Sequence, residues 1–389
     1  MDKVRYGIIG LGNQGSTYAL KIFDGGKAND AVVTAMCDID ETKIAAIKEK
    51  TTNKDAVYFT DYIEMLDSGL CDAILVEVPH YQHPEMVMEC LKRGINVICE
   101  KPAGVYAKQV KEMNALAERS NAKFGMMFNQ RTNCLYRKMR EMIKNGDIGE
   151  IQGVTWIITN WFRTQIYYDS GSWRATWEGE GGGVLINQCP HQLDLVQWVV
   201  GMLPTKVNGF CHYGKWHDIE VEDDVTAYFE YENGATGMFI TTTGEAPGTN
   251  RFEVSGTKGK LVCENGQLMF HKNIDDSSEL IKSSPLAFVK AKPEIIEVET
   301  DGENPQHAGI INNFTAALLG KEELFVSGTD GIAGVELMNA IELSGWRGGE
   351  RVSLPVNEDE YLEELNKHRA TSRLKTNVAN TVSNTEGSY

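Results

Sequence analysis

Val4-Arg5-Tyr6-Gly7-Ile8-Ile9-Gly10-Leu11-Gly12-Asn13-Gln14-Gly15 is an apolar, β-type run that feeds straight into G-x-G-x-x-G. It predicts a strand, a tight turn and a helix, with a backbone bare enough to touch the pyrophosphate of a dinucleotide. Gly10 suits the turn, Gly12 carries no Cβ to block the phosphates, and Gly15 lets the helix pack closely on its strand. The helix start at Asn13 and Gln14 offers backbone N–H groups and a partial positive charge. The pattern alone is weak, since a glycine-rich turn can produce it without any ligand. A second apolar run, Ala31–Cys37, ends in Asp38, about 20 residues beyond Gly15, the spacing of the acidic residue in such sites. A carboxylate there accepts both ribose hydroxyls of NAD and repels the 2′-phosphate of NADP. The alternatives for Asp38 are a solvated strand end or the N-cap of a helix beginning near Glu41. Strand, glycine turn and acidic residue in that order predict NAD binding through Gly10, Gly12, Asn13, Gln14, Gly15 and Asp38.

Working outward, strand-like runs alternate with helical patterns as far as residue 124. Helices are expected near 41–50, 61–68, 84–93 and 107–120, and strands at 56–59, 73–78, 95–99 and 123–127. Continuous apolar runs separated by helices imply a doubly wound parallel sheet. Pro79 and Glu100 fall at the carboxyl ends of two of these strands, the edge where ligands collect, and complete the candidate cofactor contacts. The texture changes after the helical pattern at 135–144. Runs rich in Thr, Tyr and Phe follow at 153–160, 225–231 and 237–243, with a Glu232-Asn233-Gly234 turn, and these read as antiparallel. Helices are expected near 308–319 and 329–345. From Lys367 the sequence turns polar, which suggests a mobile tail or an oligomer arm. The expected layout is a nucleotide domain over 1–124, a second α+β domain over 125–366, and a tail over 367–389.

At 389 residues the chain exceeds one ordinary core, and 42% hydrophobic with 24% charged residues is average for a globular protein. With the first strand expected at Val4, no signal peptide is expected, and no apolar run approaches membrane-spanning length, so the expected location is the cytoplasm. Eight cysteines lie scattered without C-x-x-C, several within strand-like runs, and read as reduced thiols. A net charge of −17 argues against nucleic acid and anionic membranes as partners.

Two constellations carry chemistry. Glu100-Lys101-Pro102 ends the fifth strand, so Lys101 should point at the reacting end of a bound nucleotide. A lysine there can take a hydroxyl proton once desolvation and the nicotinamide charge favour the neutral amine. The bland alternative is a surface lysine paired with Glu100. Downstream, Gly181-Gly182-Gly183-Val184-Leu185-Ile186-Asn187-Gln188-Cys189-Pro190-His191-Gln192-Leu193-Asp194 predicts a loop and then a helix with Pro190 in its first turn. His191 and Asp194 share a helix face; Asn187 joins them only if the helix begins early. A histidine on so apolar a helix is often no more than a core residue.

These motifs, in this order, resemble the glucose–fructose oxidoreductase, inositol dehydrogenase and MocA (Gfo/Idh/MocA) family over residues 4 to about 355. The resemblance implies a Rossmann domain followed by an open, mainly antiparallel sheet domain. It implies that Lys101 is the acid/base residue and that His191 holds or deprotonates the substrate hydroxyl, with Asn187 and Asp194 as substrate contacts. Members often carry aspartate where this chain has Asn187, and a neutral amide orients a hydroxyl but takes no proton. Trp173-Arg174 resembles a Trp-Arg pair near the nicotinamide in some members and joins the substrate contacts.

Trp156, Trp161, Phe162, Tyr167, Tyr168, Trp173 and Trp177 form an aromatic-rich stretch. Aromatic faces suit a carbohydrate, but equally a packed sheet or a subunit interface. His80 and His83 bracket the end of the fourth strand, where His83-Pro84 is expected to begin a helix rather than to act in catalysis; His212 and His217 have no visible third ligand, and no metal is expected. The expected activity is NAD-dependent hydride transfer at a secondary hydroxyl of a sugar, cyclitol or glycoside, by a homodimer or homotetramer. The alternatives are an NAD-cofactored glycosidase that oxidises its sugar transiently to permit elimination, and a non-catalytic nicotinamide sensor.

Overall fold

The computed structural model describes residues 3–289, 292–373, 375 and 378. They form two compact units: residues through Thr132 together with Asn304–Val335, and Asn133–Glu303 together with the residues from Glu336 on.

The first unit opens with β1 (Val4–Ile9), α1 (Asn13–Thr17), β2 (Ala31–Cys37), α2 (Glu41–Lys50), β3 (Val57–Phe59) and α3 (Tyr62–Asp67). β4 (Ala73–Val76), α4 (His83–Lys92), β5 (Asn96–Cys99), α5 (Ala107–Ala117) and β6 (Phe124–Met126) follow. The strands pair in the order β3-β2-β1-β4-β5-β6, all parallel. All four β4 side chains are buried, as the continuous apolar run requires of a strand covered on both faces. The order reverses between β1 and β4, and that switch point puts a crevice at the carboxyl ends of the strands. α1 is short because Tyr18–Phe23 continues it as a π-helical stretch, a local widening that sequence patterns do not announce.

The second unit holds α6 (Cys134–Lys144), β7 (Ile151–Ile158), α7 (Gln165–Asp169), α8 (Pro190–Trp198), β8 (Lys206–Tyr213), β9 (Glu222–Glu230) and β10 (Thr236–Thr242). β11 (Asn250–Gly256), β12 (Gly259–Glu264), β13 (Gln267–Lys272), α9 (Ser277–Ser283) and β14 (Glu294–Glu297) extend it. α10 (Gln306–Leu318) returns to the first unit, α11 (Gly331–Trp346) carries the chain across the division at Val335, and β15 (Val352–Ser353) and α12 (Glu358–Ala370) end the second. Its nine-stranded sheet runs β14-β13-β12-β11-β7-β10-β9-β8-β15, antiparallel except for the parallel pair β7–β10. One face is packed: Trp156 is fully buried and stacks on Phe252 at 4.2 Å and 9°.

Three features differ from the sequence expectation. The first unit is discontinuous rather than confined to 1–124. Thr315 of α10 hydrogen-bonds the buried Tyr6 hydroxyl at 2.8 Å, and the Phe314 ring lies where a Cβ on Gly125 would come within 2.9 Å. The expected tail at 367 is helical through Ala370, and Ser372, Arg373 and Lys375 are bonded to Glu220 and to the Tyr168 carbonyl. Apart from Val378, the tail beyond Lys375 lies outside the described residues. The helix of 107–120 ends at Ala117, three residues early. All eight cysteines are free thiols, and burial pushes Cys37 up to about 12 and Cys71 up to about 11. Among the described residues no helix is long and apolar enough to cross a membrane.

Candidate active site

In the first unit the glycine turn is built as its spacing demands. Gly10 sits at φ +90°, and a Cβ there would lie 2.5 Å from the Glu77 carbonyl oxygen. A Cβ on Gly15 would fall 2.0 Å from the Gly10 carbonyl oxygen, so the turn and helix start touch. Gly12 is different: its Cβ would meet nothing within 4 Å. The fold does not need glycine there, whereas a phosphate lying against the backbone does. Gly12 is also the N-cap of α1, with no side chain to occupy the first N–H groups, which belong to Asn13 and Gln14. This cradle fits a dinucleotide.

Asp38 at the end of β2 is only 6% exposed. Its Oδ2 accepts the Leu11 N–H at 2.7 Å and its Oδ1 the Asp40 N–H at 2.9 Å, with Lys43 Nζ at 3.5 Å. It is therefore no solvated strand end, and the cap of α2 is Asp40, which accepts the Thr42 N–H. Both oxygens keep acceptor capacity beyond these bonds, which suits ribose hydroxyls. One carboxylate thus ties the glycine turn to the second strand.

Pro79 follows β4 and caps the short helical turn His80–Gln82. His83 staples two strand ends, its Nε2 2.7 Å from the Val78 carbonyl and its Nδ1 2.7 Å from that of Pro102. That structural duty accounts for His83, and it fixes the backbone on which Lys101 stands, joined to Pro102 by a cis peptide. Glu100 is buried rather than forming a surface pair. Its Oε2 accepts the Lys101 N–H at 3.0 Å and its Oε1 meets the Tyr18 hydroxyl. Glu77 lies beside it, with neither carboxyl oxygen bonded among the described residues. Burial and the charge of Glu100 hold Glu77 well above the usual carboxylate range. Burial raises Glu100 too, against the Lys101 charge and the Tyr18 bond, which lower it. His307, from α10, packs its ring 5.6 Å from Tyr18, and burial with the nearby Lys101 charge pushes it down to about 4. Sequence reading missed Tyr18, Glu77 and His307. The π-helical stretch and the return of α10 to this unit bring two of them here, and no local pattern reports either event.

In the second unit, the Gly181–Gly183 loop is fastened by Glu222. Its carboxylate accepts the Gly183 N–H at 2.9 Å and the Leu185 N–H at 3.0 Å. α8 begins at Pro190, so Asn187 stands in the preceding turn rather than on the helix face, held by its N–H to the Gly183 carbonyl. His191 is half-buried in the first turn of α8, and Asp194 is buried one turn on. Asn187 Oδ1 accepts from the Tyr167 hydroxyl at 3.2 Å, which itself accepts from Arg174 Nη1 at 2.9 Å. The Arg174 guanidinium lies 4.7 Å from both the Tyr167 and Trp173 ring centres. The aromatic stretch therefore divides. Trp156 and Trp177 are core, Phe162 is exposed, and Tyr167 and Trp173 gather at Arg174 beside Asn187. His212 and His217 bond Asp224 and Asp223. Lys101 belongs to the first unit and His191, Asn187, Asp194, Trp173 and Arg174 to the second.

Comparison with known proteins agrees with both halves. The family profile described as oxidoreductase family, NAD-binding Rossmann fold, matches residues 4–128, and that of the GFO/IDH/MocA C-terminal domain matches 136–262. Myo-inositol 2-dehydrogenase of Thermotoga maritima is 27% identical over 67% of this chain and 75% of its own length. 1,5-Anhydro-D-fructose reductase of Ensifer adhaerens is 25% identical over 67% of this chain and 76% of its own. The WlbA dehydrogenase of Chromobacterium violaceum, solved with NADH and UDP-GlcNAcA, superposes with a TM-score of 0.78 at 25% identity, covering 92% of this chain and 97% of that one.

Proposed function

The chain belongs to the GFO/IDH/MocA oxidoreductase family, and from that premise we propose that it moves hydride between NAD and a secondary hydroxyl of a sugar, cyclitol or glycoside. It is an oxidoreductase with an NAD-binding Rossmann unit. The observation that carries the finer reading is Lys101 at the carboxyl end of β5, in the same unit as an open glycine cradle and above a buried acid pair. Bound nicotinamide supplies the hydride acceptor. Lys101, as the neutral amine, takes the hydroxyl proton at Nζ, and the carbinol carbon becomes a ketone. His83 and Glu100 hold the backbone of that lysine, and His307, kept neutral, adds no second positive charge beside it. His191 holds the substrate hydroxyl, Asn187 and Asp194 support it, and Arg174 with Trp173 and Tyr167 offers a cation and aromatic faces to a polyol ring. The cytoplasm is the expected site of action and a homodimer or homotetramer the expected form.

The test is to incubate the purified protein with NAD and a panel of sugars, inositols and glycosides, following NADH absorbance and released aglycone together. NADH formed in step with a ketone supports the dehydrogenase. Aglycone release without net NADH replaces it with the eliminating glycosidase. Tight NAD binding with neither product leaves a nicotinamide sensor.

A further inference from the structure

The second unit contains a buried carboxylate bonded to Asn187. Glu180, 2% exposed, accepts a hydrogen bond on Oε1 from Asn187 Nδ2, and its Oε2 accepts the Ala175 N–H at 2.5 Å. Its place is imposed by the loop before it. Ala175 lies at φ +51°, a conformation that L residues with a Cβ adopt at a cost, and the Glu180 and Gly181 N–H groups both close on the Thr176 carbonyl. The Asn187 amide is thereby oriented. Its NH2 must face the carboxylate, so its Oδ1 faces the Tyr167 hydroxyl at 3.2 Å and Gln188 Nε2 at 3.3 Å. Arg174 completes the chain through Tyr167.

We propose that Glu180 acts through Asn187 as a positioning residue for the substrate hydroxyls. This rests on the dehydrogenase reading above. A carboxylate behind the Asn187 amide locks it in one orientation, so that its Oδ1 holds the Tyr167 hydroxyl and, through that hydroxyl, Arg174 in place for the substrate. Burial pushes Glu180 up; Arg174, the Ala175 N–H, Asn187 and Lys375 pull it down. Glu222 and the Tyr167 and Tyr168 hydroxyls also lie within electrostatic reach.

Three variants test the assignment: Glu180→Gln, Asn187→Asp, and the double Glu180→Gln/Asn187→Asp, which exchanges acid and amide across one hydrogen bond. Glu180→Gln should lower kcat about 10–100-fold with NAD affinity unchanged, in the range of a lost charge-assisted hydrogen bond. The double variant should recover most of that loss. Asn187→Asp alone sets two carboxyl groups against each other, so the acid limb of its kcat/KM profile should move to higher pH. Wild-type kcat and KM in Glu180→Gln, or a folded double variant no better than the single, would overturn the proposal. A readout independent of turnover separates it from the dehydrogenase reading. In protein labelled with 15N-asparagine, the Asn187 side-chain amide signal should shift with pH in the wild type and cease to in Glu180→Gln. If the wild type is inert on every polyol, the dehydrogenase reading falls while this signal still decides Glu180; an amide that ignores pH in both proteins refutes the pairing.

Discussion

Replacing Lys101 with Ala removes the proposed proton acceptor, and kcat should fall about 10²–10⁴-fold, the usual worth of general acid–base catalysis. NAD affinity, which the glycine cradle and Asp38 supply, should change far less. Lys101→Arg should rescue poorly, because a guanidinium does not release its proton near neutral pH. Steady-state kinetics beside an NAD titration decides it: near-normal turnover in Lys101→Ala with an inactive His191→Ala would move the base to His191. Asp38 is a second single-residue case. Its carboxylate should favour NAD over NADP, and Asp38→Ala should narrow that preference by removing the repulsion of the 2′-phosphate. Because Asp38 also holds the Leu11 N–H, the variant should weaken binding of both nucleotides. Parallel titrations read both effects, and tighter wild-type binding of NADP would refute the assignment. Lys101, Asp38 and the glycines were legible in the sequence, since each sits at a strand end whose position the apolar runs announce. Glu180 and His307 were not, because a buried carboxylate in a loop and a histidine on a distant helix carry no periodic signal.

At the scale of elements, the loop leading into α8 depends on β9. Glu222, the first residue of β9, accepts the Gly183 and Leu185 N–H groups, and burial pushes it up to about 7. The ordinary carboxyl value is 4.5, so between that pH and about 7 the folded chain keeps a proton that the unfolded chain has lost. The stabilisation from this group is complete below the lower value and disappears as pH rises through the upper one. Thermal midpoints of the wild type and Glu222→Gln, compared from about pH 5 to 8, should show a steeper decline in the wild type. Equal slopes would remove Glu222 from the linkage. Strand and helix positions were mostly readable, because periods of 2 and 3.6 are written in the side chains. The start of α8 at Pro190 was readable too, since proline suits a first helical turn, whereas the π-helical stretch at Tyr18–Phe23 was not, because no side-chain period announces a local widening.

At the scale of the molecule, the nine-stranded sheet presents a face on which Ile157, Ile240, Thr226 and Phe210 lie side by side across four strands, with Met238 and Tyr228 in the adjoining row. Phe210 is 51% exposed, and we propose that this apolar group on an open sheet is an interface between copies of the chain. Beside it, Glu253 pairs with Arg251 and Lys260 in a charged ladder that can set the register of a partner. Light scattering at micromolar concentration should give a dimer or tetramer, and Phe210→Glu should shift it toward the 43.3 kDa monomer; a monomeric wild type would refute this. The sequence by itself determined the two kinds of sheet, the nucleotide turn and the lysine and histidine motifs, because each is written in local periodicity and spacing. Only the tertiary structure decided that α10 completes the first unit, that Glu77 and Glu100 share a buried site, and that Glu180 faces Asn187. Those contacts join residues far apart in the chain or across an irregular loop, where long-range packing rather than local propensity sets the distance.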